Sequence, residues 1–186
     1  MILFVGLGNP TPDSENNRHN VGFKIIDAIN KKFSLSKQKP KFKGLLTTGN
    51  IEGKKVYAIK PLTFMNNSGI CIRELLEYFK FDVENVIVFH DDLDVEFGKI
   101  KTKFGGSNAG HNGVASIDKF IGKDYSRVRI GIGKPKAPIE ISDYVLQNFD
   151  NDELIGIDKI SQNITESIKE LVDKKLDLFS STVNNK

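Results

Sequence analysis

Residues 86–94 read Val-Ile-Val-Phe-His-Asp-Asp-Leu-Asp. Four apolar side chains in succession suit a strand buried on both faces, because a strand with one wet face alternates apolar with polar residues. The histidine and acids then form a polar cluster at the strand's carboxyl end. Three further β-rich runs lie around it, Ile2 to Val5, Val56 to Ile59 and Val128 to Ile132. Between the runs the apolar period becomes helical: Ile25, Ala28 and Ile29 follow Asn20, and Ile72, Leu75, Leu76 and Phe79 follow Asn66. Asn20, and Asn66 or Asn67, are expected as N-caps. From Asp150 onward Leu154, Ile157, Ile160, Ile164, Ile168, Leu171 and Val172 step by three and four, which predicts one amphipathic C-terminal helix over about 151–179. Strands alternating with helices give an α/β class, a single three-layer α/β/α domain over residues 1–186 around a mixed, twisted central sheet. Residues 134–149 open on Lys-Pro-Lys-Ala-Pro-Ile-Glu-Ile, with two prolines and no periodicity, and are read as a mobile loop or lid.

Composition narrows the function classes. The 27 Lys and Arg against 24 Asp and Glu leave a net charge of +3, too mild for a polycationic arm but compatible with an anionic partner where the charge clusters. The lone Cys71 excludes an internal disulfide and a cysteine-built zinc finger, and fits a reducing compartment. The apolar start, Met-Ile-Leu-Phe-Val-Gly-Leu-Gly, is far shorter than the roughly 18 residues of a membrane span. A cytoplasmic protein without a membrane segment is the expectation.

Four segments carry residue types suited to chemistry. Gly6-Leu7-Gly8-Asn9-Pro10 follows the first strand, but Thr11 stands where a dinucleotide-binding fingerprint has its third glycine. Arg18-His19-Asn20 precedes the first helix, and His19 is of the one residue type whose unperturbed pKa suits a base near neutral pH. His90-Asp91-Asp92-Leu93-Asp94 is open to three readings: a metal site, acids that solvate a turn, or a carboxylate that orients a histidine. The loop from Lys103 to Gly113 is rich in glycine and leads into Val114, Ile117 and Phe120, as a phosphate-cradling loop before a helix would. Within it Gly105-Gly106-Ser107-Asn108-Ala109 falls one glycine short of a nucleophile elbow. Lys99, Lys101, Lys103, Arg127 and Arg129 flank these segments and favour an anionic substrate, whereas Lys31, Lys32, Lys37, Lys39, Lys41 and Lys43 also fit a solvated face.

Taken together, Asn9-Pro10, Arg18-His19-Asn20, Lys60 to Gly69 (Lys-Pro-Leu-Thr-Phe-Met-Asn-Asn-Ser-Gly), His90 to Asp94, Gly110-His111-Asn112-Gly113 and Arg127 to Gly133 resemble, in order and spacing, the bacterial-type peptidyl-tRNA hydrolases. The resemblance runs from residue 1 to about 180. It implies a monomeric enzyme with no metal or other cofactor that hydrolyses the ester between a peptide and the 3′ end of tRNA, recycling tRNA from prematurely released peptidyl-tRNA. Carried over by position, His19 resembles the base that activates water and Asp91 the acid that orients it. Asn9, Asn66 and Asn112 resemble the asparagines that bind substrate and stabilise the intermediate, with Met65, His111 and Ser14 among the substrate-binding positions. Lys103 and Arg129 resemble the basic pair that clamps the tRNA 5′ phosphate. In the family's usual first motif a tyrosine stands where this chain has Ser14, and a glycine and a threonine stand at Thr11 and Asn17.

Overall fold

The computed structural model describes residues 1–186. Seven strands form one sheet: β1 (Ile2–Gly6), β2 (Lys39–Lys41), β3 (Gly44–Ile51), β4 (Lys54–Pro61), β5 (Val86–Asp92), β6 (Ile100–Phe104) and β7 (Ser126–Gly131), in the order β2-β3-β4-β1-β5-β7-β6. The inner strands β4, β1, β5 and β7 are parallel neighbours, and β2, β3 and β6 add antiparallel edges. All four expected strands are the parallel ones. Their apolar runs follow from burial on both sides: Ile2 and Phe4 of β1 join one core, Leu3 and Val5 the other.

Helices cover both faces. α1 (Val21–Lys32), α5 (Asn151–Glu166), α6 (Ile168–Val172) and α7 (Leu176–Asn184) pack on the first core, while α2 (Ser68–Phe79) and α3 (Asn112–Ile121) pack on the second. α4 (Ile141–Val145) lies in the segment expected as a loop, with Tyr144 and Val145 buried. One expectation needs correction. The C-terminal helix is not continuous over 151–179: the backbone leaves helical geometry at Ser167, and Lys174 takes φ +59, a left-handed turn that redirects α7. The breaks let three short helices follow the twist of the sheet, and α7 reaches edge strand β6, where the Asn184 amide pairs with both backbone groups of Ile100. β3 was absent from the sequence reading because its Gly-Leu-Leu-Thr-Thr-Gly-Asn-Ile has neither an apolar run nor clean alternation. Its signal is the turn, since Glu52 and Gly53 both have positive φ, as a two-residue hairpin turn requires.

The carboxyl ends of the parallel strands all lie at one end of the sheet, where such folds place ligands. β5 also runs on to Asp92, pairing with β7 beyond the end of β1 at Gly6. His90, Asp91 and Asp92 are thus strand residues rather than part of a loop, held at the rim of a crevice.

Candidate active site

His19 sits in a short 3-10 turn, Arg18–Asn20, that feeds α1. α1 can lie against the carboxyl end of β1 because the two meet at glycines: a Cβ on Gly6 would strike the carbonyl of Gly22, and one on Gly22 would strike that of Phe89. This close approach brings His19 to Asp91. Nδ1 of His19 lies 2.8 and 3.0 Å from the two Asp91 carboxylate oxygens, and Nε2 of His111 lies 2.9 Å from one of them. Nδ1 of His111 accepts the backbone N–H groups of Gly113 and Val114 at the start of α3, so its proton is on Nε2 and is donated to Asp91. His19 likewise donates from Nδ1, which leaves its Nε2 lone pair free.

Burial would lower the His19 pKa, but the Asp91 charge and hydrogen bond outweigh it and leave the pKa raised above 6.5. Burial likewise opposes ionisation of Asp91, yet attraction and hydrogen bonds from His111 and His19 hold its carboxyl far below the usual range. His90 lies behind the pair, its ring centroid 4.9 Å from that of His111, and it donates from Nδ1 to the Asp91 carbonyl. Burial and the neighbouring His111 push its pKa down to about 3, so it stays neutral.

Asn9 is fixed by two neighbours. Its backbone N–H and C=O pair with the amide of Asn20 at 2.9 Å each, and its side-chain Oδ1 accepts the Met65 N–H at 2.8 Å. The second contact settles the amide orientation: Nδ2 is the donor left for a ligand. Asn20 therefore does not cap α1 as expected; its amide holds Asn9. Asn66 and Asn67 make no capping bond either, and the side-chain caps are His111 on α3 and Asp150 on α5. Phe64, ahead of Met65, adopts φ +63 and ψ 157, a conformation costing about 1–3 kcal/mol.

Two cavities meet over His19 and Asn112. The smaller, about 310 Å³, includes Asn9, Phe64, Met65 and Asn66. The larger, about 800 Å³, includes Asp91, Asp92, His111, Asn108 and Lys134. Ser142 and Val145 of α4 border both. α4 is tied beside His19 by Arg18, whose guanidinium lies 4.3 Å from the Tyr144 ring centroid, donates to the Tyr144 and Gln147 carbonyls and pairs with Glu153. Neither this role of Arg18 nor that of Asn20 was read from the sequence. Ser14, expected among the substrate-binding residues, lines neither cavity; it is buried, with its hydroxyl bonded to Thr11.

The flanking cations divide. Lys101, Lys103, Arg127 and Arg129 share one face of the β6–β7 ladder. Arg127 is buried and spent within the protein, donating to the Gly106 and Ser107 carbonyls and to Asp118. It anchors the glycine-rich loop and is not available to a substrate. Arg129 is partly exposed and pairs through Nε with Asp92 at 2.8 Å. Lys103 crosses Gly106, where a Cβ would displace its ammonium end.

His19, Asp91 and His111 bring three ligand-type atoms within 4.8 Å of one another. As a metal site the set is poorly matched: a metal on Nε2 of His111 would require a proton on Nδ1, which already faces two N–H donors. The arrangement suits proton transfer instead. No helix is long and apolar enough to cross a membrane.

Comparison with known proteins finds the peptidyl-tRNA hydrolase family over residues 3–186. A peptidyl-tRNA hydrolase of Pelagibacter ubique is 77% identical over 186 residues, covering 100% of both chains. One from Ehrlichia canis is 45% identical over 98% of this chain and 94% of its own. The crystal structure of peptidyl-tRNA hydrolase from Acinetobacter baumannii superposes with a TM-score of 0.91 at 34% identity, covering 99% of this chain and 94% of that one.

Proposed function

The chain belongs to the peptidyl-tRNA hydrolase family and hydrolyses peptidyl-tRNA, and from that premise we propose that His19 is its general base and Asp91 the acid that orients it. The observation that carries this reading is the shared carboxylate: Asp91 accepts from Nδ1 of His19 and Nε2 of His111, and the Nε2 lone pair of His19 remains for a water. His19 takes a proton from that water as its oxygen attacks the ester carbonyl carbon. The imidazolium formed is stabilised by Asp91, and the carbonyl oxygen gains negative charge. Nδ2 of Asn9, with the amides of Asn66 and Asn112 that line the same cavity, supplies neutral donors to that oxygen and does not lower the base's pKa as a cation would. Collapse of the tetrahedral intermediate breaks the bond to the ribose 3′ oxygen, which takes the proton back from His19.

The substrate's two halves follow from the two cavities. The larger is lined by Asp92, the partner of Arg129, so the tRNA strand runs from a phosphate held by Arg129 and Lys103 across this cavity to His19. The peptide then occupies the smaller cavity beside Asn9, Met65 and Asn66. Remote phosphate binding favours tRNA-borne esters over free ones by positioning the reacting bond. On this reading the enzyme acts as a monomer in the cytoplasm and returns tRNA from prematurely released peptidyl-tRNA. The test is release of N-acetylaminoacyl groups from tRNA, with chelator present and unblocked aminoacyl-tRNA as control. Cleavage of the blocked substrate by the wild type and its loss in a folded His19→Ala protein support the assignment. Equal rates in both proteins contradict it.

A further inference from the structure

Asp91 and Asp92 are consecutive on β5 and point to opposite faces: Asp91 holds the two histidines His19 and His111, and Asp92 holds Arg129. Asp91 serves the base. We infer that Asp92 sets the enzyme's preference for a 5′-phosphorylated tRNA by aiming the Arg129 guanidinium, an inference that rests on the phosphate clamp proposed above. A guanidinium offers two forks of parallel donors, a side-on pair through Nε and an end-on pair through the two Nη atoms. Asp92 takes Nε at 2.8 Å, and neither Nη atom has a hydrogen-bond partner. The side-on fork is therefore closed and the end-on fork is presented to a ligand.

Asp92 is suited to hold rather than to compete. Its side chain is 8% exposed against 23% for Arg129, and both of its carboxylate oxygens are engaged, Oδ2 by Arg129 and Oδ1 by the Asp94 backbone N–H. A buried acceptor with both oxygens engaged restricts the arginine's rotamers, so less entropy is lost when a phosphate arrives. The surrounding charge stays positive, because Lys101 and Lys103 share the face with Arg129 while the charge of Arg127 is met by Asp118. Asp92 lines the larger cavity together with Asp91, and Arg129 is joined to that cavity's edge through its bond to Asp92. One dipeptide at the end of β5 thereby fixes both the base and the phosphate anchor relative to each other.

The experiment measures kcat/KM on N-acetylaminoacyl-tRNA with and without its 5′ phosphate and takes the ratio, so that any general loosening near Asp91 cancels. In Arg129→Ala the ratio falls about tenfold or more, as for loss of a charged hydrogen-bonded contact, and in Asp92→Ala it falls about three- to tenfold. Asp92→Asn, whose single amide oxygen meets only one of the two donors, Arg129 Nε–H or the Asp94 N–H, gives a ratio between those of the wild type and Asp92→Ala. Adding Asp92→Ala to Arg129→Ala produces no further fall. An unchanged or higher ratio in Asp92→Ala, or a fall that persists on the Arg129→Ala background, overturns the role of Asp92 and leaves the clamp standing. A wild-type ratio in Arg129→Ala removes the clamp, and the inference with it.

Discussion

The surroundings of Asp91 and those of Arg129 lie at the same end of the sheet and are built on different terms. Around Asp91 the side chains are enclosed: the two histidines share one carboxylate, and of their four ring nitrogens only Nε2 of His19 is unpaired. Around Arg129 the donors are partly exposed and outnumber their acceptors, with both Nη atoms and the Lys103 ammonium free. The first arrangement fixes a tautomer and a pKa, which a bond-breaking step needs. The second leaves unsatisfied positive charge at the surface, which an anion can complete. On the proposed roles, chemistry sits where Asp91 and its two histidines are mutually bonded, and recognition where Arg129 and Lys103 keep free donors.

If His19 is the base as proposed, His19→Ala removes the unpaired nitrogen that takes the water's proton, and is expected to lower kcat by about 10²- to 10⁴-fold with little change in tRNA affinity. A larger loss of affinity than of turnover would break the contrast. Arg127→Met probes the buried side of the cationic face: with Asp118 left uncompensated, unfolding in urea should show a loss of about 3–5 kcal/mol. A change confined to tRNA binding would instead place Arg127 with Arg129. Asn20→Ala frees the backbone of Asn9 by removing two hydrogen bonds; the expected cost is about 1–3 kcal/mol of stability, together with a fall in kcat. Gly106→Ala, which pushes the Lys103 ammonium aside, should have the smallest effect, a few-fold rise in KM at constant kcat, greater at low salt.

Much of this was legible from residue order, for reasons that differ by element. The central strands announced themselves because burial on both faces forces unbroken apolar runs such as Leu3-Phe4-Val5 and Val86-Ile87-Val88-Phe89. β2 and β6, as edge strands, and β3, joined to β4 by its hairpin turn, carry lysine, threonine and glycine, so their pairing is set by turns and neighbours that local pattern does not encode. The C-terminal apolar period runs through Ser167 without a visible stop, and only the curved surface beneath it demands the break. At the site, His19 and Asp91 stand out as residue types, and the family resemblance supplied their partnership. Asn20 looked like a cap because asparagine before a helix usually is one; its bonds to Asn9 depend on a chain reversal eleven residues long. Arg127 and Arg129 are indistinguishable by spacing, and Asp118, contributed by α3, decides which of them is buried.

Acid and base sensitivity should also separate the enclosed groups. The raised His19 pKa contributes stability that is full below about pH 6.5 and is lost as pH rises through its folded value. His90 has the opposite sign: its proton binds in the unfolded chain first, so stability drains away as pH falls from about 6.5 towards its folded pKa of about 3. His90→Asn should flatten the acid side of the stability profile and leave the alkaline side in place.

The most direct measurement is the pH dependence of kcat/KM for wild type and Asp91→Asn on N-acetylaminoacyl-tRNA. If Asp91 raises the pKa of a base that works unprotonated, the wild-type rate climbs with pH through a midpoint above 6.5. In Asp91→Asn burial then dominates, so the midpoint moves to lower pH while the plateau falls at least tenfold. The same midpoint in both proteins, at whatever plateau, would contradict the pairing of His19 with Asp91 as the source of the reaction.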